Sequence, residues 1–235
     1  MLLEINNLNS GYGFLQVLWD VTLKVDAGEY VCIIGPNGAG KSTTLKSICG
    51  LVNPQSGRIA FRGREIARQA PHRVCRQGLA YISEELNLFT QMTVRENLAL
   101  GAYTVKDKKT AQERLSFVFD LFPRLKEREN QLAGTMSGGE RKMLAIARGM
   151  MTKPALMLVD EPSLGLSPQM TTAVFQALEV LKSQGVTILL VEQNVTKTLQ
   201  VTDRGYVLEK GKIVLEGRSP DLAQNDYVRR VFLGC

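Results

Sequence analysis

The chain has 235 residues, 44% of them hydrophobic and 22% charged, a composition ordinary for a globular protein with a sizeable core. The longest apolar runs, residues 155–159 and 188–191, fall far short of the roughly 20 residues needed to cross a bilayer, so any membrane link is expected to run through a partner. A formal net charge of +6 is weak ground for a nucleic-acid partner, and none is expected.

Residues 1–6 carry no basic region ahead of an apolar stretch and are expected to open a strand rather than a signal peptide. Strands are expected over 2–8 and 18–25, with a turn at Asp26-Ala27-Gly28. Tyr30-Val31-Cys32-Ile33-Ile34 is an apolar, β-branched run suited to a strand buried on both faces. It leads into a Gly-rich turn and a helix ending near Gly50, and a short strand over 58–62 follows the turn at 53–57. From 91 to 152 the periodicity becomes helical: Thr93 opens one helix, and residues 111–122 form an amphipathic one with Leu115, Val118, Phe119 and Phe122 as its apolar positions. Buried-strand runs at 156–159 and 187–191 flank a helix over 168–182, a βαβ pattern that implies a parallel sheet. Residues 205–209 and 212–216 read as a hairpin around Lys210-Gly211. Cys32, Cys49, Cys75 and Cys235 show no paired spacing and are expected to be reduced thiols, with no lipid attached at Cys235. Arg58, Arg62, Arg64, Arg68, Arg73 and Arg76 have only Glu65 as a nearby acid; a solvated face is the simpler expectation and a surface near anionic lipid head groups the alternative.

Gly35-Pro36-Asn37-Gly38-Ala39-Gly40-Lys41-Ser42 matches the phosphate-binding pattern G-x-x-x-x-G-K-[ST], set between a predicted strand and a predicted helix as that motif requires. Glycines let successive backbone N–H groups turn toward phosphate oxygens, and the helix N-terminus adds a positive dipole end. Lys41 is expected to bridge the β- and γ-phosphates, and the Ser42 hydroxyl, followed by Thr43, to complete a Mg2+ shell. The run at 156–159 delivers Asp160 and Glu161 at a strand end, where open α/β sheets place their ligands. Asp160 is expected to hold the metal, and Glu161 to act as general base on the attacking water.

Met136-Ser137-Gly138-Gly139-Glu140-Arg141 lies between these motifs, ahead of a helix-like stretch. With it, essentially the whole chain resembles the ATP-binding subunits of ABC transporters, whose signature is close to L-S-G-G-Q. The resemblance implies an α/β fold: a P-loop NTPase core with a mostly parallel sheet, a small antiparallel β subdomain and an inserted helical subdomain. It implies one ABC ATPase domain over 1–235, with the core in 1–90 and 152–235 and the helical signature subdomain in 91–151. It further implies ATP and Mg2+ as ligands, clamped between two such subunits, so that Ser137, Gly138, Gly139 and Glu140 of one face the phosphate loop of the other. Tyr12 resembles the aromatic that stacks on adenine, and Ser163-Leu164-Gly165-Leu166 the loop that crosses the dimer interface.

Two positions depart from the family. Glu84 stands where the family usually has the glutamine that senses Mg2+ and the transmembrane partner, and Gln193 stands for the usual switch histidine. Gln193 can donate a hydrogen bond to phosphate but exchanges no protons near neutral pH; His72, the only histidine, lies far away in sequence. Both departures resemble one branch, the second ATPase subunit of branched-chain amino-acid and related urea or amide importers. That branch implies an identical or different ATPase partner, transmembrane permease subunits, a periplasmic solute-binding protein, and a peripheral place on the cytoplasmic face of the inner membrane. Leu86, Leu88, Phe89 and Met92 either line a groove for a partner's short helix or belong to the core of the helical insert. An ABC-type ATPase acting on nucleic acid or ribosomes is the alternative from another class.

Overall fold

In the computed structural model, which describes residues 1–233, the strands in chain order are β1 (Leu3–Tyr12), β2 (Leu15–Val25), β3 (Tyr30–Ile34), β4 (Ser56–Phe61), β5 (Arg64–Glu65), β6 (Leu79–Ile82), β7 (Leu156–Asp160), β8 (Thr187–Glu192), β9 (Arg204–Glu209) and β10 (Lys212–Arg218). The helices are α1 (Lys41–Ile48), α2 (Pro71–Arg76), α3 (Val94–Gly101), α4 (Lys108–Leu121), α5 (Pro123–Glu127), α6 (Gly138–Met150), α7 (Pro168–Ser183), α8 (Val195–Val201), α9 (Ser219–Gln224) and α10 (Asp226–Val228). Cys235 lies outside the described residues; Cys32 and Cys49 are buried thiols and Cys75 is an exposed one.

The strands form two sheets: an antiparallel one ordered β2-β1-β4-β5, and a second ordered β10-β9-β3-β8-β7-β6. In the second, β9, β3, β8, β7 and β6 run parallel and β10 closes the edge antiparallel. The period-2 alternation of the strands decides what each face meets. Val31, Ile33, Leu156, Leu158, Leu189 and Val191 share a core with the antiparallel sheet and with Leu45 and Ile48 of α1. Met157, Val159, Ile188 and Leu190 face the opposite way, onto α3, α4, α6 and α7. Cys32 and Ile34 pack beside Val195, Leu199 and Leu222 on the same side as α8 and α9. This is the α/β P-loop ATPase architecture, with its parallel core, its antiparallel β layer and its inserted helices.

Three differences from the sequence reading have local causes. β1 and β2 extend to a turn at Gly13, beyond the short runs expected, because register shifts along the pair break the alternation that sequence patterning relies on. Asn7 and Asp20, both at positive φ, lie beside these shifts. β6 is only four residues long, and α8 is seven, opened by the Asn194 side chain capping the Lys197 N–H; neither is long enough to show a period. The β9–β10 hairpin, by contrast, turns on Lys210 and Gly211, both at positive φ as a two-residue type I′ turn requires.

One polar cluster joins the two sheets. The Tyr206 hydroxyl of β9 accepts the Lys24 N–H of β2 at 3.0 Å and an Arg204 N–H at 2.7 Å, while Arg204 also pairs with Glu29 at 2.9 Å. Tyr206→Phe would leave the Lys24 N–H and an Arg204 N–H without that acceptor. It is expected to lower the unfolding free energy by about 1–3 kcal/mol, measured by urea denaturation against wild type.

Candidate functional site

β3 ends at Ile34 and α1 begins at Lys41, so residues 35–40 bridge a strand buried on both faces and a helix N-terminus. Geometry demands glycine at Gly35 and Gly40 among others. A Cβ on Gly35 would lie 2.2 Å from the Leu208 carbonyl oxygen, and Gly40 sits at φ +106° with Leu18 pressed against it. Lys41, almost fully buried, bends back over the loop: its ammonium donates to the carbonyls of Gly35 at 2.9 Å and Pro36 at 3.2 Å, and pairs with Glu161 at 3.1 Å.

β7 supplies the other half. The Ser42 hydroxyl donates to Asp160 Oδ1 at 2.8 Å, and the Tyr81 hydroxyl donates to Oδ2 at 2.8 Å. Glu161 leaves the strand at φ +47°, its N–H on the Val191 carbonyl and its own carbonyl accepting the Lys142 ammonium at 2.7 Å. Burial pushes the Glu161 carboxyl above its ordinary value, and the Lys41 ammonium works against that shift. Burial likewise pulls Lys142 down, opposed by Glu192, Glu84, Glu161 and Asp160 around it.

A cleft of about 570 Å³ opens over the loop and gathers Tyr12, Asn37, Gly38, Ala39, Gly40, Lys41, Ser42, Thr43, Glu84, Glu161, Leu164 and Gln193. The structure thus brings residues 37–43 of the phosphate loop and its helix, both departures from the family pattern and Glu161 to one place; Gly35, Pro36 and Asp160 are not on its walls, and Asp160 touches it through Ser42. Tyr12 is half-exposed at its rim, the hydroxyl 3.5 Å from Thr43 Oγ1. Ser42 and Asp160 offer hard oxygen donors in contact, the donor set that suits Mg2+, which takes one or two protein oxygens and keeps waters and phosphates for the rest. Among the described residues no group of three or more His, Cys, Asp or Glu forms a cage for another metal.

Ser137, Gly138, Gly139 and Glu140 are not in that cleft. They open α6, where Ser137 and Glu140 cap one another reciprocally and Arg128 pairs with Glu140 at 3.0 Å. Gly139 packs against Met170, where a Cβ would meet its side chain, while the Cβ position of Gly138 faces open space.

Three contributors escape sequence reasoning: Tyr81, Lys142 and Glu192. Each acts on a residue distant in the chain, and no short motif carries that information. Glu192, almost fully buried, accepts the N–H groups of Ser163 at 2.7 Å, Gln193 at 3.0 Å and Asn194 at 3.3 Å, tying the segment after Glu161 to the segment holding Gln193.

An apolar groove of about 420 Å³ lies between β6, α2, α3 and α6, with Leu86, Phe89, Leu100 and Tyr103 on its walls. Leu86 and Leu88 also pack on the helical core, and Met92 is half-buried, so the four apolar positions divide between groove and core. The six arginines are all exposed; Arg58 pairs with Glu65, and Arg68 donates to the carbonyls of Pro54 and Gln55.

The sequence pattern of the family described as ABC transporter matches residues 18–164. The chain belongs to the ABC transporter family. This ABC subunit is 45% identical over 233 residues to the high-affinity branched-chain amino acid transport ATP-binding protein BraG of Pseudomonas aeruginosa, covering 99% of this chain and 100% of that one. It is 38% identical to the probable branched-chain amino acid transport ATP-binding protein LivF of Archaeoglobus fulgidus, over 99% of both. Among solved structures, the ADP conformation of an ATP-binding cassette of an ABC transporter superposes with a TM-score of 0.87 at 27% identity, covering 100% of this chain and 99% of that one. As an ABC ATPase the chain binds nucleotide and hydrolyses ATP, and none of its described helices is long and apolar enough to cross a membrane.

Glu192→Gln would set an amide NH2 against backbone N–H donors that now share the carboxylate. The expected loss is about 1–3 kcal/mol of unfolding free energy, read by chemical denaturation of the ABC ATPase without nucleotide.

Proposed function

We propose that this chain hydrolyses Mg-ATP to energise import of branched-chain amino acids or a related small polar solute. It works as one of two ATPase subunits beneath transmembrane permease subunits, at the cytoplasmic face of the inner membrane, with solute delivered by a periplasmic binding protein. The observation that carries the catalytic part is the contact of Lys41 and Ser42, at the start of α1, with Glu161 and Asp160, at the end of β7. The relatives that transport branched-chain amino acids support the choice of solute.

In this reading backbone N–H groups of residues 37–43 receive the phosphates, and Tyr12 stacks on the base at the rim. Ser42 and Asp160 hold Mg2+, with Glu84 at the edge of the same cleft; when bound, the ion neutralises charge on the β- and γ-phosphates. A γ-phosphate competes with Glu161 for the Lys41 ammonium, which frees the carboxylate to take a proton from the attacking water. Gln193 orients phosphate through its amide and leaves the proton to Glu161. Ser137, Gly138 and Gly139 stand outside their own chain's cleft, so their hydroxyl and N–H donors serve the nucleotide of the second subunit. Glu140 does so indirectly, by capping that helix start. Residues 91–151 form the helical signature subdomain, and the apolar groove beside Phe89 receives a helix of the permease.

The test is Glu161→Gln. Turnover should fall by about 10²–10⁴-fold, while ATP binding persists and size-exclusion chromatography with ATP shows a stabilised dimer. In cells deleted for the chain, labelled leucine uptake should return with wild type and not with the variant. Brisk hydrolysis by the variant would contradict the base assignment, and leucine uptake unaffected by the deletion would contradict branched-chain amino acids as the solute.

A further inference from the structure

Asp160 is nearly fully buried, and a buried carboxylate is aimed by what its two oxygens accept. Oδ1 accepts the hydroxyl of Ser42, which lines the phosphate cleft; Oδ2 accepts the Tyr81 hydroxyl, also at 2.8 Å. Sheet register explains why Tyr81 is the residue that reaches it. β6 runs parallel beside β7 with Tyr81 opposite Leu158. Asp160 lies two residues beyond Leu158, so all three side chains emerge on the α1 face of the sheet, where Tyr81 and Leu158 share one core.

We infer that Tyr81 is a positioning residue for the reaction: its hydroxyl fixes the Asp160 carboxylate with Oδ1 toward Ser42, and so presets the protein's oxygen donors for a divalent cation. Without that donor, Oδ2 is a buried acceptor that the carboxylate can satisfy only by rotating, which turns Oδ1 away from Ser42. Neither Tyr81 nor Asp160 is on the walls of the phosphate cleft; the chain of contacts from the Tyr81 hydroxyl to the cleft runs through Asp160 to Ser42, which does line it. Partners that orient a metal ligand from behind typically change metal affinity by 10–100-fold when removed. Tyr81 is also among the residues bordering the apolar groove.

The inference rests on Asp160 holding the cation, and the test separates the two. Mn2+ is titrated into the full chain with a non-hydrolysable ATP analogue, and free Mn2+ is read by electron paramagnetic resonance for wild type, Asp160→Asn and Tyr81→Phe. Analogue affinity is measured separately in EDTA. Tyr81→Phe should weaken Mn2+ binding by about tenfold and leave analogue affinity in EDTA unchanged. Unchanged Mn2+ affinity in Tyr81→Phe, with loss in Asp160→Asn, overturns the role of Tyr81 alone. Mn2+ binding untouched by Asp160→Asn overturns the reading of Asp160, and that of Tyr81 with it. An equal loss of analogue affinity in EDTA also overturns the inference, because it marks a general collapse of the cleft. Should Tyr81→Phe fold poorly, Tyr81→Gln, which keeps a donor, is read against Tyr81→Leu, which does not. Tighter Mn2+ binding by Tyr81→Gln supports the inference, and equality of the two overturns it.

Discussion

A buried ion pair between Lys41 and Glu161 sits at the centre of this molecule, each side chain about nineteen-twentieths out of solvent. Removing both charges from water is costly, and an apolar pair of similar volume is often no less stable. In the proposed mechanism the pair provides a cation and a base held in contact until a phosphate takes the cation. The sheet order makes the contact: β3 and β7 flank β8, so the turn after one strand and the acids ending the other emerge side by side at the carboxyl edge.

Around that contact, polar groups from distant segments restrict where each reacting group can go. Lys142 reaches from α6 to the Glu161 carbonyl, and Glu192 gathers the N–H groups of Ser163, Gln193 and Asn194. The helix that begins at the Ser-Gly-Gly signature is therefore tied by its fifth residue to the backbone of the proposed base. A shift of α6 on binding a second subunit would be felt at Glu161 through one hydrogen bond. Tyr81 completes the set from β6, on Asp160.

Much of this was legible in the sequence, for identifiable reasons. The phosphate loop is a local device: glycines at 35 and 40 answer to a close approach and a positive φ, so spacing alone reveals them. Asp160 and Glu161 follow a short, wholly apolar run of the kind that marks a buried strand. Glu84 and Gln193 could be placed through the family resemblance, and both line the cleft with Lys41. The illegible parts depend on pairings between remote segments. β6 is four residues long, and nothing in its pattern says it will lie beside β7 with Tyr81 in register to reach Asp160. The bulges between β1 and β2 hid the true lengths of those strands, because each shift inverts the inside–outside alternation. Nor did Glu140 declare its capping bond to Ser137, since the family pattern draws attention to the ligand instead.

The account depends most on Ser42 and Asp160 acting as one unit on a single cation at the phosphates. A calorimetric double-mutant cycle measures this: Mg-ATP titrated into wild type, Ser42→Ala, Asp160→Asn and the double variant. Residues sharing one ion give strongly non-additive losses, a coupling on the order of 0.5–3 kcal/mol, so the double variant should bind little worse than the weaker single one. Additive losses, or Mg-ATP affinity unmoved by either change, would contradict the account.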